Sequence, residues 1–184
     1  MPFIFIDPDE LQSNRKFPEA IPNFPCPGLE ARTGADFVIS RLPIDDIDWH
    51  IKNHSLFVQR KTGYDIFSFD QTRSELARMK AAGIPMQQAF VLFIGRCYPS
   101  EDGSAIINQT LQHSERKISY KTFEEIQMFC EGRGVKFRQI PSENELPVWI
   151  EAQFDAMDKM ESEGSREFYT KEKAYWNDPD DIWQ

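Results

Sequence analysis

Cysteine is scarce in this 184-residue chain, and its spacing suits no obvious chemistry: Cys26, Cys97 and Cys130 stand far apart. An odd number so scattered argues against a disulfide framework and against a thiolate zinc centre, so reduced thiols are expected. Histidine is equally scarce. His50 and His54 sit close together, but with no cysteine or third histidine beside them they do not suggest zinc. No apolar run nears the roughly 20 residues needed to cross a bilayer. The opening residues, MPFIFIDPDE, are acidic and unlike a basic signal region. A soluble intracellular protein, cytoplasmic or nucleoid/nuclear, is expected. Neither GxxxxGK nor GxGxxG occurs, which leaves a nucleotide or dinucleotide site without support. Positive charge is also short: 21 Lys and Arg face 30 Asp and Glu, for a net charge of −9. Attraction to phosphate is therefore expected to be modest and sensitive to salt. Part of the excess is local, since residues 155–184 carry nine acids against four bases.

What is present reads as a globular α/β chain, with 40% hydrophobic and 13% aromatic residues. Phe3-Ile4-Phe5-Ile6 predicts a buried strand ending at Asp7. That acid is read either as a site residue or as the start of an Asx turn before a proline-bounded loop. Residues 15–28, with Pro18, Pro22, Pro25 and Pro27, predict a loop. Asp36 to Leu42 predicts a strand leading into Asp45, Asp46 and Asp48, and a turn holding His50 and Lys52 follows. Leu56-Phe57-Val58 predicts a second buried strand that runs straight into Gln59-Arg60-Lys61. Thr72 with Glu75 reads as a capping box opening a helix that stops at Gly83. The continuous run Ala89 to Gly95 suits a strand buried on both faces.

Residues 96–118 read as a polar loop insertion with a turn at Asp102-Gly103. Thr122 with Glu125 reads as a second capping box, for a helix bearing Phe123, Ile126 and Phe129 on one side. Val135 to Ile140 alternates like a strand. A last helical stretch follows Ser142 and carries Trp149, Ile150 and Phe154. Strands alternating with helices in this order predict an α/β fold with a mixed sheet.

The informative stretch is Leu56 to Asp65, preceded by Leu42-Pro43-Ile44-Asp45-Asp46. A carboxylate at one strand end, followed by x-x-Lys on the next strand, can hold a hard cation through oxygen and set a positive charge beside it. Taken alone, the three aspartates read equally as a solvated acidic loop.

In order, LPIDDI, VQRKTGYD and SFDQTRSELARM resemble the LPVGDY, VERKxxxD and following helix of the XPF-type structure-specific endonucleases. These are a branch of the PD-(D/E)XK superfamily. The resemblance runs from about Phe3 to Phe154 and implies a restriction-endonuclease-like mixed central sheet flanked by helices. It implies a nuclease domain over 1–155; the charged residues that follow, 156–184, read as an acidic, aromatic-containing tail that is either disordered or docks on a partner or on the domain itself. The resemblance further implies Mg²⁺, with Mn²⁺ as an alternative, held by Asp46 and Gln59 with Asp7; Asp45, next to Asp46, is read as a further metal acid that restores the charge glutamine lacks. Lys61, Arg60 and Asp65 would complete the catalytic set, and Arg60 and Arg73 would contact DNA.

The implied activity is hydrolysis of DNA phosphodiester bonds at branches, flaps or forks, in repair, recombination or mobile-element biology. A homodimer or heterodimer through the nuclease domain is implied as well. Two departures matter. Gln59 stands where the family has glutamate, and Asp45 where it has glycine. A neutral amide oxygen keeps the reach but not the charge. The competing expectation is therefore a nuclease-fold subunit that binds DNA or a partner without cutting.

Overall fold

A computed structural model describes residues 2–12, 21–53, 55–107 and 118–162. Its elements, in order, are β1 (Phe3–Ile6), α1 (Pro8–Gln12), β2 (Asn23–Pro25), α2 (Leu29–Thr33), β3 (Phe37–Ser40), α3 (Ile47–Lys52) and β4 (Leu56–Thr62). There follow α4 (Phe69–Ala81), β5 (Ala89–Ile94), β6 (Cys97–Pro99), β7 (Ala105–Ile107), α5 (Tyr120–Glu131), β8 (Lys136–Ile140) and α6 (Leu146–Ser162). The expected acidic tail beyond Ser162, together with His54 and residues 108–117 of the insertion, lies outside the described residues.

Six strands form one mixed sheet in the order β2-β1-β3-β4-β5-β8. β1 and β2 are parallel, as are β4, β5 and β8, while β3 is antiparallel to both its neighbours. Every strand except β3 therefore points the same way. One edge of the sheet gathers the ends of β1, β4, β5 and β8 with the beginning of β3, and it is this edge that carries the polar side chains.

The pleat sorts the remaining residues into two apolar layers. Phe5, Val38, Phe57, Val91 and Phe93 face Leu29 of α2, Leu76 and Met79 of α4, and Phe123 and Ile126 of α5. Ile6, Phe37, Val58, Phe90 and Leu92 face Leu146, Trp149 and Ile150 of α6. Burial on both sides accounts for the unbroken apolar run of β5.

The structure departs from the expectations in five places. The proline-rich loop includes β2, a three-residue strand at the sheet edge ending in Pro25, where a missing N–H donor costs nothing. The turn expected after Asp48 is α3, with Asp46 as its N-cap. Helix α4 begins at Phe69, and Thr72 and Glu75 are buried inside it rather than capping it. Helix α5 begins at Tyr120, where Ser119 rather than Thr122 supplies the cap. The insertion contributes a small antiparallel pair, β6 with β7. Among the described residues, no helix is long and apolar enough to cross a membrane.

Candidate active site

The polar edge is built outward from β4. Alternation sends Gln59 and Lys61 to the face covered by α2, α4 and α5, and Arg60 to the opposite face. All three are enclosed. The register pairs Phe37 with Val58, so Asp36, the residue before β3, lies beside Gln59. Both Asp36 oxygens accept from the Gln59 amide nitrogen, at 3.2 and 3.1 Å, and one also accepts from the Arg60 backbone N–H at 2.6 Å.

Two further acids close on Asp36. Glu10 comes from α1 and Glu30 from the first turn of α2, and one oxygen of each lies within 4.8 Å of the others and of an Asp36 oxygen. Burial raises the Asp36 carboxyl to about 8. Glu10 adds to that rise, the Arg60 N–H opposes it, and Glu30 and Glu75 add smaller amounts. At neutral pH and without a cation, Asp36 therefore retains a proton. The Glu30 carboxyl is also raised, mainly by burial, against the lowering effect of Arg78. Oxygen donors of this kind suit a hard divalent cation, whose charge would replace the proton.

Gln59 lies against this cluster, with its amide nitrogen toward Asp36. It is only 3% exposed, and its carbonyl oxygen Oε1 has no hydrogen-bond partner among the described residues. A buried carbonyl without a partner is costly, and a cation is one group that would satisfy it. The amide can turn through half a rotation, exchanging its oxygen and nitrogen.

Lys61 ends the constellation. Its ammonium lies 2.6 Å from the Glu75 carboxylate on α4, with both side chains 2% exposed. Glu75 also accepts from Gln71 at 2.9 Å. Arg60, across the sheet, lies 2.9 Å from Glu10 and 3.6 Å from Glu143, in the turn before α6. It thus braces one of the clustered acids from behind.

The residues expected from the sequence fall into two groups. Gln59 and Lys61 are at the site. Asp46 is not the acid that meets them: its oxygen accepts from the backbone N–H groups of Asp48 and Trp49, capping α3. The physical reason is strand direction. Asp46 follows β3, whose end pairs with the start of β4, whereas Asp36 precedes β3 and so meets the end of β4. Asp45 lies beside the Cys26 thiol, which burial and this carboxylate push up to about 11.

Asp7 behaves as the Asx alternative predicts. One oxygen accepts from Asp9 N–H and the other from Glu30 N–H, at 3.1 and 2.9 Å. It orders both segments that deliver Glu10 and Glu30. Arg60, expected to touch DNA, is enclosed between Glu10 and Glu143. Asp65 is exposed in a short turn, and the acid that meets Lys61 is Glu75. Arg73 is exposed on α4.

No family model, curated protein or solved structure matches this chain.

The residues that sequence reasoning missed are Asp36, Glu10, Glu30, Glu75 and Glu143. Asp36 carried a usable signal. Gly34-Ala35-Asp36-Phe37 opens a strand with a glycine, an acid and an aromatic, much as the GDY of the resembled pattern does. Gly34 has a left-handed φ of 74°, and a Cβ there would lie 2.5 Å from the Glu75 carbonyl oxygen. Only glycine lets α2 close on α4 at this point.

Proposed function

We propose that this chain is a divalent-cation-dependent DNA endonuclease domain on a restriction-endonuclease-like scaffold, acting on phosphodiester bonds at branches, flaps or forks. The observation that carries the reading is the convergence of Asp36, Gln59 and Lys61 on adjacent strands, with Glu10 reaching the same point. The resembled XPF-type family has an acid, a glutamate and a lysine in this order; here Asp36, Gln59 and Lys61 stand in that order, with the acid one strand earlier than the sequence match placed it.

Glu10, Asp36 and the Gln59 oxygen would hold Mg²⁺ or Mn²⁺. A bound cation supplies a water of lowered pKa and neutralises charge on the phosphoryl oxygens. Lys61 lies two residues beyond Gln59 on the same face of β4, where its ammonium would orient the attacking water and stabilise negative charge developing on phosphate. Glu75 fixes the lysine, and Arg60 fixes Glu10 from the far face. The enclosing sheet and helices exclude bulk water from this side of the site, which strengthens each of these interactions.

A second reading, a domain that binds branched DNA or a partner chain without cutting, draws on one observation. The Lys61 ammonium is held by Glu75 at 2.6 Å, and both are shielded from water.

Cleavage of labelled splayed, flapped and linear duplexes separates the two. Wild type, Lys61→Ala and Gln59→Glu would be assayed in Mg²⁺ and then Mn²⁺. Cutting by wild type that Lys61→Ala abolishes while still folded is the expected result. Silence from wild type with cutting by Gln59→Glu selects the second reading. Silence from all three, with no binding of branched DNA at low salt, overturns both.

A further inference from the structure

The departure at Gln59 removes one negative charge from a cation site, and the structure contains an acid placed to restore it. Glu30 lies 29 positions before Gln59 in the sequence, on the short helix α2, and is not part of the motif that suggests the activity. Its carboxylate nevertheless shares the 4.8 Å cluster with Glu10 and Asp36.

Its placement is built by its neighbours. The Glu30 N–H donates to Asp7 at 2.9 Å, and its carbonyl accepts from Arg78 at 3.2 Å. The close approach of Gly34 to Glu75 fixes the other end of the helix against α4. An ion pair with Arg78 does not by itself explain where the carboxylate points. The nearest nitrogen is 4.0 Å away and both side chains are more than a third exposed, a geometry worth little. The independent sign of a ligand is the enclosed Gln59, whose amide nitrogen bonds Asp36 within the same cluster and whose carbonyl oxygen has no partner among the described residues.

We propose that Glu30 is a cation ligand that supplies the charge Gln59 lacks, so that a divalent cation is held by Glu10, Glu30, Asp36 and the Gln59 carbonyl. This deepens the reading above and rests on it for the cation. It also makes a statement that the reading does not: charge can be moved between positions 30 and 59. Mg²⁺ and Mn²⁺ accept such mixed oxygen sets, and the affinity follows the number of charged donors.

The test is a Mn²⁺ titration of the full chain, followed by isothermal calorimetry and by the electron paramagnetic signal of free Mn²⁺. Wild type, Glu30→Gln, Gln59→Glu and the double variant Glu30→Gln/Gln59→Glu would be compared. Glu30→Gln is expected to weaken Mn²⁺ binding about 10-fold or more, while Gln59→Glu tightens it. The double variant is expected to return to within about threefold of wild type, because the charge has been relocated and not lost.

Glutamine is nearly isosteric with glutamate, and melting in EDTA checks that each variant folds. Wild-type affinity in Glu30→Gln overturns the proposal. So does a double variant that binds no better than Glu30→Gln, or a wild type that binds no Mn²⁺. If the affinities follow the predicted order but no DNA is cut, the nuclease reading fails and the assignment of Glu30 stands.

Discussion

Lys61 and Glu75 form an ion pair that contributes to stability only as long as both members are present. At 2.6 Å, with both side chains 2% exposed, their attraction is about 6 kcal/mol at an effective dielectric near 20. Desolvation of the two charges cancels most of it. Removing one partner leaves the other charged and buried, which costs roughly 3–5 kcal/mol, whereas replacing both with apolar residues of similar size is near neutral. Lys61→Met and Glu75→Leu should each therefore lose roughly 3–5 kcal/mol, and the double variant should lie within about 1–2 kcal/mol of wild type. Urea unfolding in EDTA, followed by far-UV circular dichroism, reads all four corners of the cycle. Additive losses, with a coupling below about 0.5 kcal/mol, would refute the argument. The result also governs how a catalytic test is read. A Lys61→Ala variant that has stopped cutting has lost chemistry only if it is still folded at the assay temperature.

Other outcomes follow from neighbouring contacts. Asp46→Ala removes the α3 cap and should cost about 1 kcal/mol while leaving Mn²⁺ affinity unchanged; a loss of affinity in calorimetry would restore Asp46 as a ligand. The Asp36 carboxyl is raised to about 8, so the folded state holds a proton that the unfolded chain releases near its ordinary value of 3.8. Without metal, stability should therefore fall as pH rises from about 4 through 8, and Asp36→Asn should flatten that fall; an unchanged profile in pH-dependent urea melts would count against the assignment. Gly34→Ala must adopt a left-handed φ and meets the Glu75 carbonyl at 2.5 Å. A loss of roughly 2–4 kcal/mol is expected in the same melts, and a loss below about 0.5 kcal/mol would show that α2 can back away from α4.

Much of the sheet was legible from pattern. β4, β5 and β8 appear as apolar or alternating runs, and α4 is stopped before Gly83 as expected. The acids were harder to place because sequence order and spatial order part company at an antiparallel strand. An acid after a strand looks adjacent to the next strand's motif, yet with β3 reversed it is the residue before the strand that meets Gln59. Glu75 fitted a capping box by spacing alone, because spacing does not reveal that its side chain turns inward to a lysine. Glu10 and Glu30 look like ordinary surface acids on short helices until the sheet brings their ends together. β2 was hidden by prolines that only an edge position tolerates.

The order in which the chain is made bears on how the centre is completed. Arg60 bonds to Glu10, 50 residues before it, and pairs with Glu143, which follows the last strand of the sheet. During synthesis the clustered acids and Arg60 emerge long before β8 and Glu143, so the early segments wait with an incomplete brace and an open sheet edge. Pairings this distant close late and slow the search for the native state. The finished centre is thus a marker of complete folding: a chain halted before Glu143 would carry the motif residues, but without the contact that secures Arg60 from the α6 side.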